Sequence, residues 1–303
     1  MLAALAGCGD DDPGTAAIGT GAQGGGGGAV VWALAERPAH LDPLFVRTDA
    51  ELLVTRQIHE PLVGRLSGPF DDARQVSGLA LSVLPSSDAT VWRLRLRPGV
   101  SFADGAPFNA GAVLANVQRW RAHASGRELL GDALADAPRP DLVRFILPAP
   151  DRRFDLRLAS PRLGVVSPRA LAGAGERELR AAQLTDTGTG PFELRERAPD
   201  RLLLARSTEW WGADRGLGPG IDQLEFRVVP ARADRFAALR DGRVQVASDL
   251  GRSGLARAQR DPLLTALDNG AGGLAIERSI RGIPAGDPAP PLNGVWQTAI
   301  VPD

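Results

Sequence analysis

The stretch Trp92–Val113, WRLRLRPGVSFADGAPFNAGAV, constrains the fold of this chain more than any other. Trp92, Leu94 and Leu96 alternate with Arg93, Arg95 and Arg97. That period of two puts an apolar stripe on one face of a strand and three guanidiniums on the other. Pro98-Gly99 stops the strand with turn chemistry. Val100 and Phe102 resume the alternation as a short strand, and Asp104-Gly105 turns the chain again. Asn109 then caps a helix over about 110–123, in which Val113, Leu114, Val117 and Trp120 share one face.

This order of strand, turn, short strand, turn and helix resembles the peptide/nickel-binding family 5 of the solute-binding proteins that serve ABC importers. The family signature reads W-x-hydrophobic-x-L-R-x-G-V-x-F-x-D-G-x-P-x-x-A-x-D-V. The chain supplies Trp92, Leu96, Arg97, Gly99, Val100, Phe102, Asp104, Gly105, Pro107, Ala110 and Val113. It departs at Gly111 and Ala112, where the family carries acidic residues. Further segments follow the family in order. Leu41-Asp42-Pro43 resembles its L-D-P after the first strand. Glu60-Pro61-Leu62-Val63 resembles its E-P-L-V, with His59 in place of a Tyr. Gly188-Thr189-Gly190-Pro191-Phe192 matches G-T-G-P-[FY], and Glu209-Trp210-Trp211-Gly212 resembles N-x-x-Y-W. Ile221–Arg227 resembles the strand D-x-I-x-F-R. Arg235–Gly242 with Val244–Val246 resembles a helix-Gly-strand unit, with Gln245 where the family has Asp.

Bulk properties agree with a soluble globular class. The chain has 303 residues, 44% hydrophobic and 23% charged. A formal net charge of −1 gives no electrostatic reason to expect nucleic acid as a partner. All 35 basic residues are Arg, and Tyr is absent. The one cysteine, Cys8, excludes a disulfide within the chain. Its context, Leu5-Ala6-Gly7-Cys8, fits a lipobox in which Cys8 is lipidated, although the apolar run before it is short and lacks a basic start. Gly9–Gly28 then reads as a flexible, Gly-rich tether.

Ordered structure is expected from Ala29, with Val30–Leu34 a buried strand and a helix over about Asp49–Glu60 whose inner face includes Leu52, Leu53, Arg56 and Ile58. Pro138–Pro150 reads as loop, strand (Leu142–Leu147) and loop. Arg169–Ala182 reads as helix, and Glu193–Ser207 as two strands around Pro199-Asp200. Beyond residue 250 the pattern weakens, and Leu292–Ala299 loosely resembles the family's returning C-terminal strand. The resemblance therefore implies an α/β fold like the periplasmic binding proteins of type II: family 5 lobe I with its inserted subdomain, the second lobe missing or much reduced. The expected organisation is a signal remnant and tether (1–28), a discontinuous lobe I (29–45 plus 160–303) and an inserted subdomain (46–159).

The implied function is solute binding for an importer of peptides or similar small solutes, by a lipid-anchored monomer outside the cytoplasmic membrane that works with ABC permease subunits. The alternative is a non-transporting half-clamshell that serves as a protein-interaction module. Family position points to Glu36, Arg37, Gly188, Thr189 and Gly190 as ligand contacts, with Trp211 as a stacking surface or a core residue. Neither catalysis nor a metal or other cofactor is expected. His40, His59 and His123 lie far apart, and no G-x-S-x-G elbow occurs. Gly19–Gly24 formally matches G-x-G-x-x-G but lies in the tether with no strand before it.

Overall fold

Val30–Leu34 is apolar at every position, as a strand covered on both faces must be. In the computed structural model, which describes residues 28–66, 74–76, 78–173, 186–213, 221–267 and 274–277, it forms the middle of the larger sheet. The elements in chain order are β1 (Ala29–Leu34), α1 (Asp49–Ile58), β2 (Gly64–Leu66), β3 (Arg74–Val76), β4 (Ala80–Pro85), β5 (Val91–Leu96), α2 (Ala110–Ala122), α3 (Ala124–Leu130), β6 (Leu134–Arg139), β7 (Leu142–Ile146), α4 (Phe154–Leu158), α5 (Pro168–Gly173), β8 (Phe192–Arg197), β9 (Arg201–Arg206), β10 (Gln223–Val228), α6 (Arg232–Arg240), β11 (Val246–Ser248), α7 (Gly251–Arg260), β12 (Leu264–Leu267) and β13 (Leu274–Glu277).

Seven strands form the larger sheet in the order β12-β13-β11-β1-β10-β9-β8. β1 runs parallel to both neighbours, Leu34 opposite Val228 and Ala33 opposite Ala247. One face, with Trp32, Leu34, Phe192, Leu204 and Phe226, packs against Ala50, Val54 and Ile58 of α1. The other face, with Val31, Ala33 and Ala247, packs against Phe236 and Leu239 of α6 and Ala258 of α7. A second, antiparallel sheet has the order β4-β5-β7-β6. Trp92, Leu94, Leu96, Val143 and Phe145 point from it into a separate core with Val113, Val117, Trp120, Leu130 and Phe154. β2 and β3 form a short ladder of their own.

Asn109 caps α2 as expected, accepting the Ala112 N–H at 3.0 Å. Within α2, Asn116 is fully buried and does a backbone's work. Its amide accepts the Val166 N–H at 3.0 Å and donates to the Val166 carbonyl at 2.8 Å.

Five expectations are corrected. Arg97 does not join Arg93 and Arg95 on the open face. The strand ends at Leu96, and Arg97 turns inward, buried, donating to the Gly78 carbonyl at 3.1 Å. Leu52 and Leu53 are only half-buried, because the inner stripe of α1 is Ala50, Val54 and Ile58 with Glu51 and Thr55. Val100–Phe102 is not a strand but one arm of a turn closed by the Ser101–Pro107 bridge. The strand β6, which was not expected, runs into the start of the loop expected from Pro138, and the weakly patterned region after 250 supplies α7, β12 and β13. Only residues up to Gly173 of the helix expected over Arg169–Ala182 are described. Cys8, the tether and Leu292–Ala299 lie outside the described residues.

Replacing Asn116 with Leu keeps the branched shape but strands the Val166 N–H and C=O. Urea unfolding of Asn116→Leu is expected to show a loss of about 3 kcal/mol.

Candidate functional site

The expected site residues fall into two groups. The first is a joint built on the end of α1. Gly190 donates its N–H to the Ile58 carbonyl at 2.8 Å, and the Gly188 carbonyl accepts the Ala103 N–H at 2.9 Å. A Cβ on Gly188 would stand 1.8 Å from the Ile58 oxygen, and one on Gly190 would stand 2.5 Å from the Gln57 oxygen. Glycine is required here by backbone approach. Pro191 continues the joint by accepting the Ser207 N–H at 2.8 Å.

Glu60, absent from the expected site, is the polar centre of this joint. Trp211 donates its indole N–H to Glu60 Oε2 at 2.9 Å, and Trp210 adds a longer contact at 3.4 Å. The Arg97 guanidinium lies 4.0 Å over the Trp211 ring, a cation–π stack. Trp211 is thus half-buried, packed on the core of the smaller sheet and tied to a carboxylate. Desolvation pushes the Glu60 carboxyl up to about 7, against the pull of the Trp211, Thr189 and Trp210 groups and the Arg97 charge. Beside it, the buried His59 pairs through Nε2 with the Thr187 hydroxyl at 3.1 Å. Desolvation and the Arg119 charge lower the His59 imidazole to about 3, so it is neutral at ordinary pH. Arg119 in turn is ion-paired with the buried Asp42.

The second group sits where the parallel strands end. Glu36 and Arg37 follow β1 and are exposed. The loop behind them is held by Glu51, whose carboxylate accepts the N–H groups of Ala39, His40, Arg47 and Thr48 at 2.7–3.3 Å. Arg197 donates to the Pro38 and Ala39 carbonyls at 3.0 and 2.9 Å. Burial and the nearby Arg37 charge lower the Arg197 pKa. Across the rim, the buried Arg235 donates to the carbonyls of Val229, Pro230, Ser248 and Asp249 and so clamps the ends of β10 and β11 together. Gln245, standing where the resemblance places an Asp, accepts the Val31 N–H at 2.9 Å and fixes the start of β1.

Glu60, Arg97, Arg197 and Arg235 were missed as parts of the site. A charge embedded in an apolar run was the available signal for Glu60. For Arg235 it was the buried spacing shared with Phe236 and Leu239. Among the described residues no group of three or more His, Cys, Asp or Glu is placed to hold a metal ion.

With this geometry in place, comparison with known proteins is decisive. The sequence profile of the bacterial extracellular solute-binding proteins, family 5 Middle, matches residues 74–281. The chain belongs to that family. Glutathione-binding protein GsiB of Salmonella typhi is 30% identical over 223 residues, which are 72% of this chain and 41% of GsiB. GsiB of Escherichia coli K12 is equally similar over 224 residues. The periplasmic binding protein DppA from Helicobacter pylori, solved with the peptide STSA, superposes with a TM-score of 0.67 at 22% identity, covering 79% of this chain and 50% of DppA. NikA from Brucella suis, solved with Fe(III)-EDTA, gives 0.65 at 23% identity, covering 78% and 47%. The fold is therefore the α/β fold of the family 5 periplasmic binding proteins, over about half of each solved chain. The chain spans about 41% of the length of the curated relatives it matches.

Two outcomes test the joint. Gly188→Ala should lower stability by about 3 kcal/mol or more, measured by denaturant unfolding, because backbone must move to admit the methyl. The second concerns pH. The fold favours protonated Glu60, so that contribution is full below the unfolded value of 4.5 and is lost as pH rises toward 7. The fold favours neutral His59, so that contribution is full above 6.5 and is lost as pH falls toward 3. Between pH 4.5 and 6.5 the two slopes oppose each other. Glu60→Gln leaves the His59 slope uncovered. Its stability relative to the parent should rise with pH across that window by about 1.4 kcal/mol per unit.

Proposed function

We propose that this chain is the solute-binding component of an ABC importer for peptides or similar small solutes. It is held outside the cytoplasmic membrane by a lipid on Cys8 and hands its solute, as a monomer, to the permease subunits. The observation that carries the reading is the rim of the larger sheet in a chain of this family. In open α/β sheets, ligands bind beyond the carboxyl ends of parallel strands. Here that position holds Glu36 and Arg37, adjacent and exposed, with no hydrogen bond or ion pair to another described residue. A free carboxylate beside a free guanidinium suits a zwitterionic solute: Arg37 takes a carboxylate through its planar fork, and Glu36 takes an ammonium. The loop that presents them is stiffened by Glu51 and Arg197, which lowers the entropy lost on binding. Gly188, Thr189, Gly190 and Trp211 complete the site as the joint that fixes the inserted part of the chain against the larger sheet.

Several observations support the finer parts. GsiB is named for glutathione and DppA was solved with a peptide, so both solutes have free amino and carboxylate groups. The lipid on Cys8 rests on Leu5-Ala6-Gly7-Cys8 and the tether after it. We also propose two units, 29–45 with 160–303 and 46–159. The two main sheets with separate cores support this division, while α1, at the start of the second unit, packs on the larger sheet of the first.

The test is a thermal shift with pools of dipeptides to hexapeptides and with glutathione. A solute at a hundredfold excess over its Kd should raise the Tm by about 5–10 °C. Glu36→Ala with Arg37→Ala should weaken that binding about tenfold and leave the Tm of the free protein unchanged. A protein that responds to none of these solutes would sink the proposal.

A further inference from the structure

Among the described residues, the smaller sheet is covered on one face only. Helices α2, α3 and α4 pack beneath it, and the strand register defines what stands on the other face. Leu84, Arg93, Arg144 and Asp136 lie in one cross-strand row, and Val91, Ile146 and Leu134 form the row beside it. Leu84 is 61% exposed, Leu134 50% and Ile146 39%, the large aliphatics this sheet leaves in water apart from Leu81 at its edge. Arg144 is neutralised by a two-pronged pair with Asp136 at 2.8 and 2.5 Å. Arg93 and Arg95 are exposed and make no hydrogen bond or ion pair to any described residue. Arg95 lies two residues along from Arg93, so the two free guanidiniums project from the same face on backbone positions about 7 Å apart.

We propose that this face is a docking surface for an anionic lipid bilayer. The free guanidiniums of Arg93 and Arg95 bind phospholipid phosphates, and Leu84, Ile146 and Leu134 rest against the acyl boundary. The face is presented by neighbouring strands of one sheet, and its side chains project to the same side. Charge complementarity fixes the class of surface: uncompensated guanidinium forks match phosphate oxygens, and a few basic residues with part-exposed aliphatics suit an interface of charge above hydrocarbon. Two arginines hold a protein at a membrane weakly. A tether changes that. The 20 residues Gly9–Gly28 separate Cys8 from β1, so a lipid on Cys8 keeps the protein at high local concentration beside the bilayer. The inference rests on the lipid-anchor reading for that proximity alone.

Cys8 is the one thiol in the chain, so it can be coupled to a maleimide lipid and the proximity supplied directly. The coupled protein is placed on vesicles of pure phosphatidylcholine, or on vesicles with about a third phosphatidylglycerol, and treated with phenylglyoxal. Modification of each arginine is followed by mass spectrometry. Arg93 and Arg95 are expected to react roughly fivefold more slowly on the anionic vesicles, with the difference removed by high salt. Arg240 and Arg243, exposed on and just after α6, should react alike on both. Equal reactivity of Arg93 and Arg95 on the two vesicle types overturns the proposal. So does protection already present in the free protein in solution, which would mean that another protein surface covers the face. Because the coupling replaces the natural lipid, a negative result counts against the docking face and leaves the anchor reading intact. The anchor is read separately, from the mass of the Cys8 peptide in cells.

Discussion

The structure depends on one close backbone approach. The chain at Gly188–Gly190 lies so near the last turn of α1 that a single methyl on Gly188 would sit inside the Ile58 carbonyl. Around that approach, strands and turns from distant parts of the sequence exchange main-chain hydrogen bonds. Ala103 bonds to Gly188, Ser167 to Thr187, Val165 to Glu60 and Ser207 to Pro191. The first two join segments near the smaller sheet to the turn that enters β8, the third ties the segment before α5 to the end of α1, and the fourth closes the β8–β9 pair. Side chains reinforce the joint through the Arg119–Asp42 ion pair, the His59–Thr187 bond and the Trp211–Glu60 bond. Of the polar residues of the adjoining turn, His59 is buried and Glu60 half-buried as a consequence. The fold then selects their neutral forms, because low-dielectric surroundings penalise charge of either sign.

An arginine-only complement of basic residues shapes the interior as well as the surface. Arg97, Arg119 and Arg235 are all buried, which would be costly without partners. Each finds a different solution. Arg235 spends its donors on four carbonyls at two strand ends. Arg119 pairs with Asp42 and lies 5.6 Å from the centre of the Phe45 ring. Arg97 bonds a carbonyl and stacks on Trp211. A planar fork with five donors makes these arrangements accessible, whereas an ammonium offers neither the flat face nor the fixed directions.

Much of the fold was legible where period and punctuation agree. β5 alternates cleanly from Trp92 to Leu96, Asn109 stands where a cap is needed, and Pro199-Asp200 divides β8 from β9. β6 was not legible. Leu-Ala-Asp-Ala-Pro-Arg has little intrinsic strand preference, and it is held at the sheet edge by its partner strand and the Arg144–Asp136 pair. α7 escaped notice because it is rich in Arg and interrupted by Gly254, with only Leu255 and Ala258 to mark its buried face. In the candidate site, glycines and tryptophans announced themselves by type. Arg97 and Glu60 did not, because burial of a charge is decided by partners far away in sequence, here Gly78 for the first and Trp211 for the second.

The central place of β1 has a consequence for how this chain is made. The four strands of the smaller sheet come from residues 80–146 and can pair as soon as that region exists. β1 is synthesised earlier than any of them, yet its partners are β10, ending at Val228, and β11, ending at Ser248. An apolar strand that both sheet faces must cover therefore waits, unpaired, through the synthesis of nearly two hundred residues. Contacts of such long range form late and slowly. The larger sheet is thus kept open by topology during translation, and the chain remains threadable until its later strands arrive.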